Sequence, residues 1–259
     1  MRGAGLDDLV RTDRRAAIDI EHIRGAGLRV LERRRFRAHS YLSVPEPDPG
    51  IHSTSTHVVD LDRWLSMTST VTAMEPENAD EQPFLSEPVT LWSTRDGLLV
   101  PMPSDDGMGQ QWACVPDEPL ISGPLVMLHL LGGAVTARAT PSGAAWVTVV
   151  DVDRAVEHVP SGHRGPLQRF LQELLVVAGS QLELEVRLSG SAVDAVDAEL
   201  PAVEGSRSRI LLHLSIDADE PPALPDPPVA GTVADAEQLA RMWAPDWPDD
   251  VPVFPPRRD

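Results

Sequence analysis

From Gly179 to Ile216 the chain alternates apolar and polar residues with a period of two. Leu182, Leu184, Val186 and Leu188 are interleaved with Gln181, Glu183, Glu185 and Arg187. Ile210, Leu212, Leu214 and Ile216 repeat the pattern against Arg209, His213 and Ser215, with Leu211 out of phase. Between them, Ala192 to Leu200 mixes Val and Ala with Asp194, Asp197 and Glu199. Successive side chains of a strand point to opposite faces, so this stretch predicts an antiparallel sheet with one dry face and one wet face. Ser189–Gly190–Ser191 and Gly205–Ser206 supply the turns.

The same period appears earlier in the chain. Phe36, Ala38, Ser40, Leu42 and Val44 alternate with Arg35, Arg37, His39, Tyr41 and Ser43, and the Pro-rich segment Pro45–Gly50 ends that strand. Ile51 to Asp60 reads as a polar strand. Leu65, Met67, Ser69, Val71 and Ala73 are opposed by Ser66, Thr68, Thr70 and Thr72. Short strands are predicted at Val89–Ser93, Leu98–Met102 and Gln111–Val115, with Arg95–Asp96–Gly97 as a hairpin turn. A further hairpin spans 135–139 and 145–152.

Three segments read as helices. Residues 6–34 carry a narrow apolar seam (Ala16, Ile20, Ile23, Gly27, Val30). Gly25 and Gly27 each cost about 1 kcal/mol relative to Ala, which predicts a break there. Gly123 to Gly132 is short and apolar. Pro166 to Ala178 is amphipathic, with Pro166 in its first turn and Gly179 at its C-cap.

Charge and cysteine usage exclude several function classes. The net charge is −18, with 40 acids against 22 basic residues, all of them Arg. Such a surface repels nucleic-acid phosphate, so no nucleic-acid partner is expected. The first 38 residues are locally basic, and predict either an arm for an acidic partner or membrane surface, or a solvated helix face lying against an acidic protein. A lone Cys114 leaves no intrachain disulfide. No apolar run reaches the roughly 20 residues that span a bilayer, and MRGAGLDDLVRTDRR lacks the apolar core of a secretory leader. A cytoplasmic chain with no transmembrane segment is expected.

Catalytic signatures are missing from the sequence. It has no GxSxG elbow, P-loop or third glycine of a dinucleotide fingerprint. His52 and His57 differ by an odd number on one strand and face opposite ways, which argues against a shared metal. Asp60, Asp62, Asp151 and Asp153 form two Asp-x-Asp pairs that read as polar strand ends. Cys114, between Ala113 and Val115, reads as a small core residue. No metal, no cofactor and no enzymatic activity are expected.

The order RRRFRAHSYLSV, VVDLDRWLSM, LLVPMP, QWACVP, HLLGGAV and ILLHLSIDADEPPALPDPP is similar to that of the LolA-like, LppX/LprG-type lipoprotein-carrier superfamily, over residues 32–229. That resemblance implies an α+β fold, a curved antiparallel half-barrel covered by helices, which binds acyl chains or lipidated partners without catalysis. The expected organisation is an N-terminal helical arm (1–31), the half-barrel (32–229) and an acidic, Pro-rich tail (230–259) with one short helix. The function expected is an apolar, lipid-like ligand or lipidated partner held between sheet and helices. Its lining is assigned to Phe36, Leu42, Met67, Val71, Leu91, Leu128, Trp146, Phe170, Leu184 and Leu212. The alternative is a protein-interaction scaffold with a filled core and no ligand, contacting its partner through the arm or the tail.

Overall fold

The computed structural model describes residues 20–44, 51–74, 84–102, 111–116 and 123–233, except 162–163, 166, 169–170, 172–179 and 202–208. Among the described residues, thirteen strands form one open sheet in the order β13-β7-β6-β5-β3-β2-β1-β12-β11-β10-β9-β8, with β4 paired to β3. The central strands are β1 (Arg35–Val44), β2 (Ile51–Asp60) and β3 (Leu65–Met74) on one side and β12 (Arg209–Ile216) on the other. Outward from β3 come β4 (Phe84–Leu85), β5 (Val89–Ser93), β6 (Leu98–Met102), β7 (Gln111–Val115) and β13 (Thr232–Val233). Outward from β12 come β11 (Ala192–Pro201), β10 (Gln181–Ser189), β9 (Trp146–Asp151) and β8 (Ala134–Ala139). Every pairing is antiparallel except that of β13 with β7. An early strand, β1, lies against the last long one, β12, so two meanders hang from one central junction.

Local chemistry sets the turns. Gly190 has φ 63°, and it opens a two-residue loop between Ser189 and Ala192. Positive φ at the first central residue is what a II′ hairpin demands. The β2–β3 turn is held by Asp60, whose Oδ1 accepts from the backbone N–H groups of Asp62 (3.1 Å) and Arg63 (3.2 Å). Asp151 caps helix α3 (Val152–His158) by accepting from the N–H of Arg154 at 2.8 Å. Both Asp-x-Asp pairs thus start with a backbone cap.

Helices cover one face of the β1/β12 side. The helix at 20–32, α1, turns Ile23, Ala26 and Val30 into the core, all fully buried. Helix α2 (Gly123–Leu130) adds Leu125, Val126 and Leu128, and α3 adds Val152 and Ala155. They meet Phe36 and Ala38 of β1, Leu184 and Val186 of β10, Val196 of β11 and Leu214 of β12 in one cluster. The expected break at Gly25 and Gly27 does not occur, and α1 is continuous there. A Cβ on Gly27 would stand 2.9 Å from the Leu128 carbonyl oxygen, so the glycine lets α1 and α2 approach closely, and packing outweighs propensity. The basic residues of α1 and the one just after it are used within the chain: Arg24 donates to the Ala134 carbonyl, Arg29 to that of Ser191 and Arg33 to that of Asp217. The helical residues among 161–171 bring Leu167 and Leu171 to the same cluster.

The Pro-rich segment after β12 crosses the other face. Pairs Arg35–Glu220 (2.5 Å) and Arg63–Asp226 (2.6 Å) hold it, and Arg63 also donates to the Leu224 carbonyl. Beneath it, Leu224 is buried with Val58, Leu65, Trp92 and Leu99, and Met67, Trp112, Cys114 and Ala230 pack on that group. Gly231 N–H bonds the Trp112 carbonyl at 2.8 Å, and β13 joins β7. Prolines suit this role because they favour extended backbone and need no ladder partner. Residues 1–19 and 234–259, most of the expected arm and tail, lie outside the described residues.

Candidate functional site

The site lies on the helix-covered face of β1, β2 and β3, where the registers place four rows of residues side by side. The innermost row is Phe36, Val59, Ser66 and Ser93. Next come Ala38, His57, Thr68 and Leu91, then Ser40, Ser55, Thr70 and Val89. The outermost is Leu42, Ser53 and Thr72, with Leu212 beside Leu42. A stripe of hydroxyls therefore runs down the middle of this face, between apolar residues of β1/β12 and of β5/β6.

The stripe is a hydrogen-bonded seam. Ser53 meets Thr72 at 3.1 Å, Ser55 meets Thr70 at 2.8 Å, and His57 is held between Ser40 (Nε2, 2.8 Å) and Thr68 (Nδ1, 3.0 Å). A neutral imidazole has one donor and one acceptor nitrogen, so one of these hydroxyls donates to the ring and the other accepts. His57 is 5% exposed. Burial, with nearby His39 adding to it, lowers its pKa to about 4, so the ring is neutral at pH 7. Ser66 lies at the closed end, fully buried, and its Oγ has no hydrogen-bond partner.

Exposure grades along the seam. Val59 and Ser66 are fully buried, whereas Ser40, Leu42, Ser53, Ser55, Thr70, Thr72, Val89 and Leu91 are all partly exposed. On the β5–β7 side, Val100, Ala113 and Val115 form a small buried cluster on this face, with Leu91, Leu98 and Met102 packed against it partly exposed. On the β10–β12 side the face is filled, and Leu184, Val186, Ile210 and Leu214 are at most 1% exposed.

The ten residues assigned from sequence divide accordingly. Phe36, Leu128 and Leu184 are packed core, and Leu42, Trp146 and Leu212 are partly buried at the margin of the main cluster. Leu91 belongs to the small cluster across the seam. Met67 and Val71 stand on the opposite face: Met67 packs with Val58 and Trp92, and Val71 is paired with outward Thr54. β3 turns its apolar set to the face crossed by the Pro-rich segment, and its hydroxyl set to the face that carries the helices over β1 and β12. Phe170 lies outside the described residues. The seam itself was missed. Its signal is Ser40, Ser53, Ser55, Thr68, Thr70 and Thr72 sharing one parity across three adjacent strands.

Other polar groups gather elsewhere. On the uncovered face of β9–β12 a hollow of about 440 Å³ is bordered by Tyr41, Glu185, Leu211 and His213. There Asp197 accepts from Arg187 at 3.1 Å and lies 2.6 Å from His213 Nδ1. His52 faces this outer side too, 2.9 Å from the Tyr41 hydroxyl, so the two histidines of β2 do face opposite ways. Burial, with the Asp96 carboxylate adding to it, pushes the Cys114 thiol up, which disfavours the thiolate. Among the described residues no three His, Cys, Asp or Glu gather as a metal site, and no helix is long and apolar enough to cross a membrane.

No protein-family model matches the chain, and no curated protein matches it in sequence. Among solved structures it is similar to LprF from Mycobacterium bovis, with 83% of this chain and 99% of that one aligned, a TM-score of 0.43 and 8% identity.

Proposed function

We propose that the protein is a non-enzymatic binding protein that holds an apolar, lipid-like ligand or a lipidated partner on the helix-covered face of a curved half-barrel. The ligand lies over the β1–β3–β5 strip, not between β10–β12 and the helices. The gradient of exposure carries this reading. Leu184 and Leu214 leave no room beside them, whereas Leu42, Leu212, Val89, Leu91 and Leu98 remain partly open to solvent on either side of the seam. Small-molecule sites combine apolar walls with placed polar groups, and here apolar margins on β1/β12 and β5/β6 flank a hydroxyl seam.

A fluorescent acyl probe tests it. The parent protein is expected to bind with a micromolar Kd, about −8 kcal/mol. Leu212→Phe, which enlarges a margin residue, is expected to weaken binding at least tenfold while the fold persists by circular dichroism. A parent protein that binds no probe and carries no co-purifying lipid in native mass spectrometry would leave the filled-core scaffold in its place.

A further inference from the structure

We infer that the ligand's polar end is uncharged, a hydroxyl, ester or amide group that hydrogen-bonds the Ser40–His57–Thr68 and Ser55–Thr70 seam, and that Ser66 at the seam's closed end supplies an unspent hydrogen-bond donor. This deepens the proposed function and rests on it.

Three observations carry the inference. First, the groups on the seam are neutral. The charged side chains of β1 face the other way, where Arg35 pairs with Glu220 and Arg37 with Asp217. Asp60, at the end of β2, is occupied by the β2–β3 turn. A carboxylate or phosphate brought to the seam would therefore be desolvated with no cation from these strands to compensate it, at a cost that outweighs hydroxyl contacts. Second, the seam has capacity left. A hydroxyl offers one donor and two acceptor sites, and the cross-strand bond within the pairs Ser55–Thr70 and Ser53–Thr72 uses one site on each partner. A neutral group that both donates and accepts can join such pairs without breaking them. Third, Ser66 Oγ is buried without a partner. Buried hydroxyls are almost always bonded, so an orphan on the face proposed for the ligand is a position for a ligand atom or a bound water.

The probes are 1-decanoylglycerol and decanoate, which share a chain and differ in the head. Titrated calorimetrically at pH 7.5 against the full chain, decanoylglycerol is expected to bind at least tenfold tighter. The preference is expected to persist at 0.5 M salt, where repulsion by the distant acidic surface is screened. In Thr70→Val, which removes one seam hydroxyl at nearly constant shape, the ratio is expected to fall toward one. Should that variant not fold, the ratio measured on the parent still decides. Equal binding of the two probes, tighter decanoate, or a preference that vanishes in salt overturns the inference and leaves the lipid-binding reading intact. Binding of neither probe overturns that reading, and the inference falls with it.

Discussion

The two halves of the sheet solve the problem of burial differently. From β12 to β8, one face carries Leu, Val and Ile under the helices while the other carries Glu183, Glu185, Asp197 and His213 in contact with water. From β2 to β7, both faces are covered over part of their length. The Pro-rich segment lies on Val58, Leu65 and Trp92, and the opposite face bears the hydroxyl seam and a separate small cluster. Where one side is wet, the hydrophobic effect sorts residues by parity and the pattern reads directly. Where both are covered, parity still marks a strand but no longer says which side is the core.

The largest effect expected from this contrast is at Leu184. It is fully buried in the filled half, so Leu184→Ala should cost about 2–5 kcal/mol in chemical denaturation, the lost transfer energy plus a cavity. Leu212 lies two strands away on the same face but at the margin, and Leu212→Ala should cost less than about 2 kcal/mol. Equal losses at the two sites would abolish the distinction between a filled half and an open margin.

Next in size is a pH effect confined to the seam. The His57 pKa is about 4 in the folded chain and near 6.5 when unfolded. Above pH 6.5 both states hold a neutral ring and the native state loses nothing. As pH falls from 6.5 to about 4, the unfolded chain takes up a proton that the folded chain refuses, and stability drops by about 3 kcal/mol in total. Below pH 4 this group adds no further loss. His57→Gln keeps an amide donor and acceptor between Ser40 and Thr68 but cannot titrate. The stability difference between parent and variant should therefore shrink across that window, while the many carboxylates affect both proteins alike. A difference that stays constant from pH 7.5 to 4 would show that His57 titrates normally.

The Pro-rich segment comes third. Arg63 donates to the Leu224 carbonyl and pairs with Asp226, both at 2.6 Å, yet its own side chain is partly exposed. Arg63→Ala should cost about 1 kcal/mol overall, in the range of one or two net hydrogen bonds, and should speed amide exchange at Gly231 and at β13 more than anywhere on β10. Uniform acceleration would mean that the segment and the helix-covered half open as one unit.

How much of this was legible follows from the same contrast. β1, β2, β3, β10 and β12 stand where the alternation puts them, because period two is a backbone property that survives any covering. Leu184 and Phe36 were legible as inward residues, since their partners in alternation are Glu, Gln and Arg. Met67 and Val71 lie on the face opposite the other described lining residues, because alternation marks β3 as a strand without saying which of its sides carries the seam. Of the set opposing them on β3, Thr70 and Thr72 bond hydroxyls of β2 and Thr68 bonds His57, and cross-strand partners are invisible until the register is known. α1 was expected to break at Gly27, whose lack of a side chain instead admits the Leu128 carbonyl, a contact about 100 residues distant in sequence.

The smallest expected effect, and the sharpest probe of the seam, is at Ser66. A buried hydroxyl with no partner pays the desolvation cost of a polar group without the compensating bond. Replacing it by alanine removes that cost along with one atom, whose loss from a fully buried position costs a few tenths of a kcal/mol in packing. In the ligand-free protein the two nearly cancel, so Ser66→Ala should change stability by no more than about 0.5 kcal/mol in either direction. Thr68→Val, by contrast, strips His57 of a bonded partner in the same buried setting and should cost roughly 1–3 kcal/mol. The two substitutions are neighbours on one strand face, one removing an unbonded hydroxyl and the other a bonded one. If Ser66→Ala proves as costly as Thr68→Val in protein freed of lipid, Ser66 has a partner in solution, a trapped water being the simplest, and the seam's closed end is already satisfied before any ligand arrives.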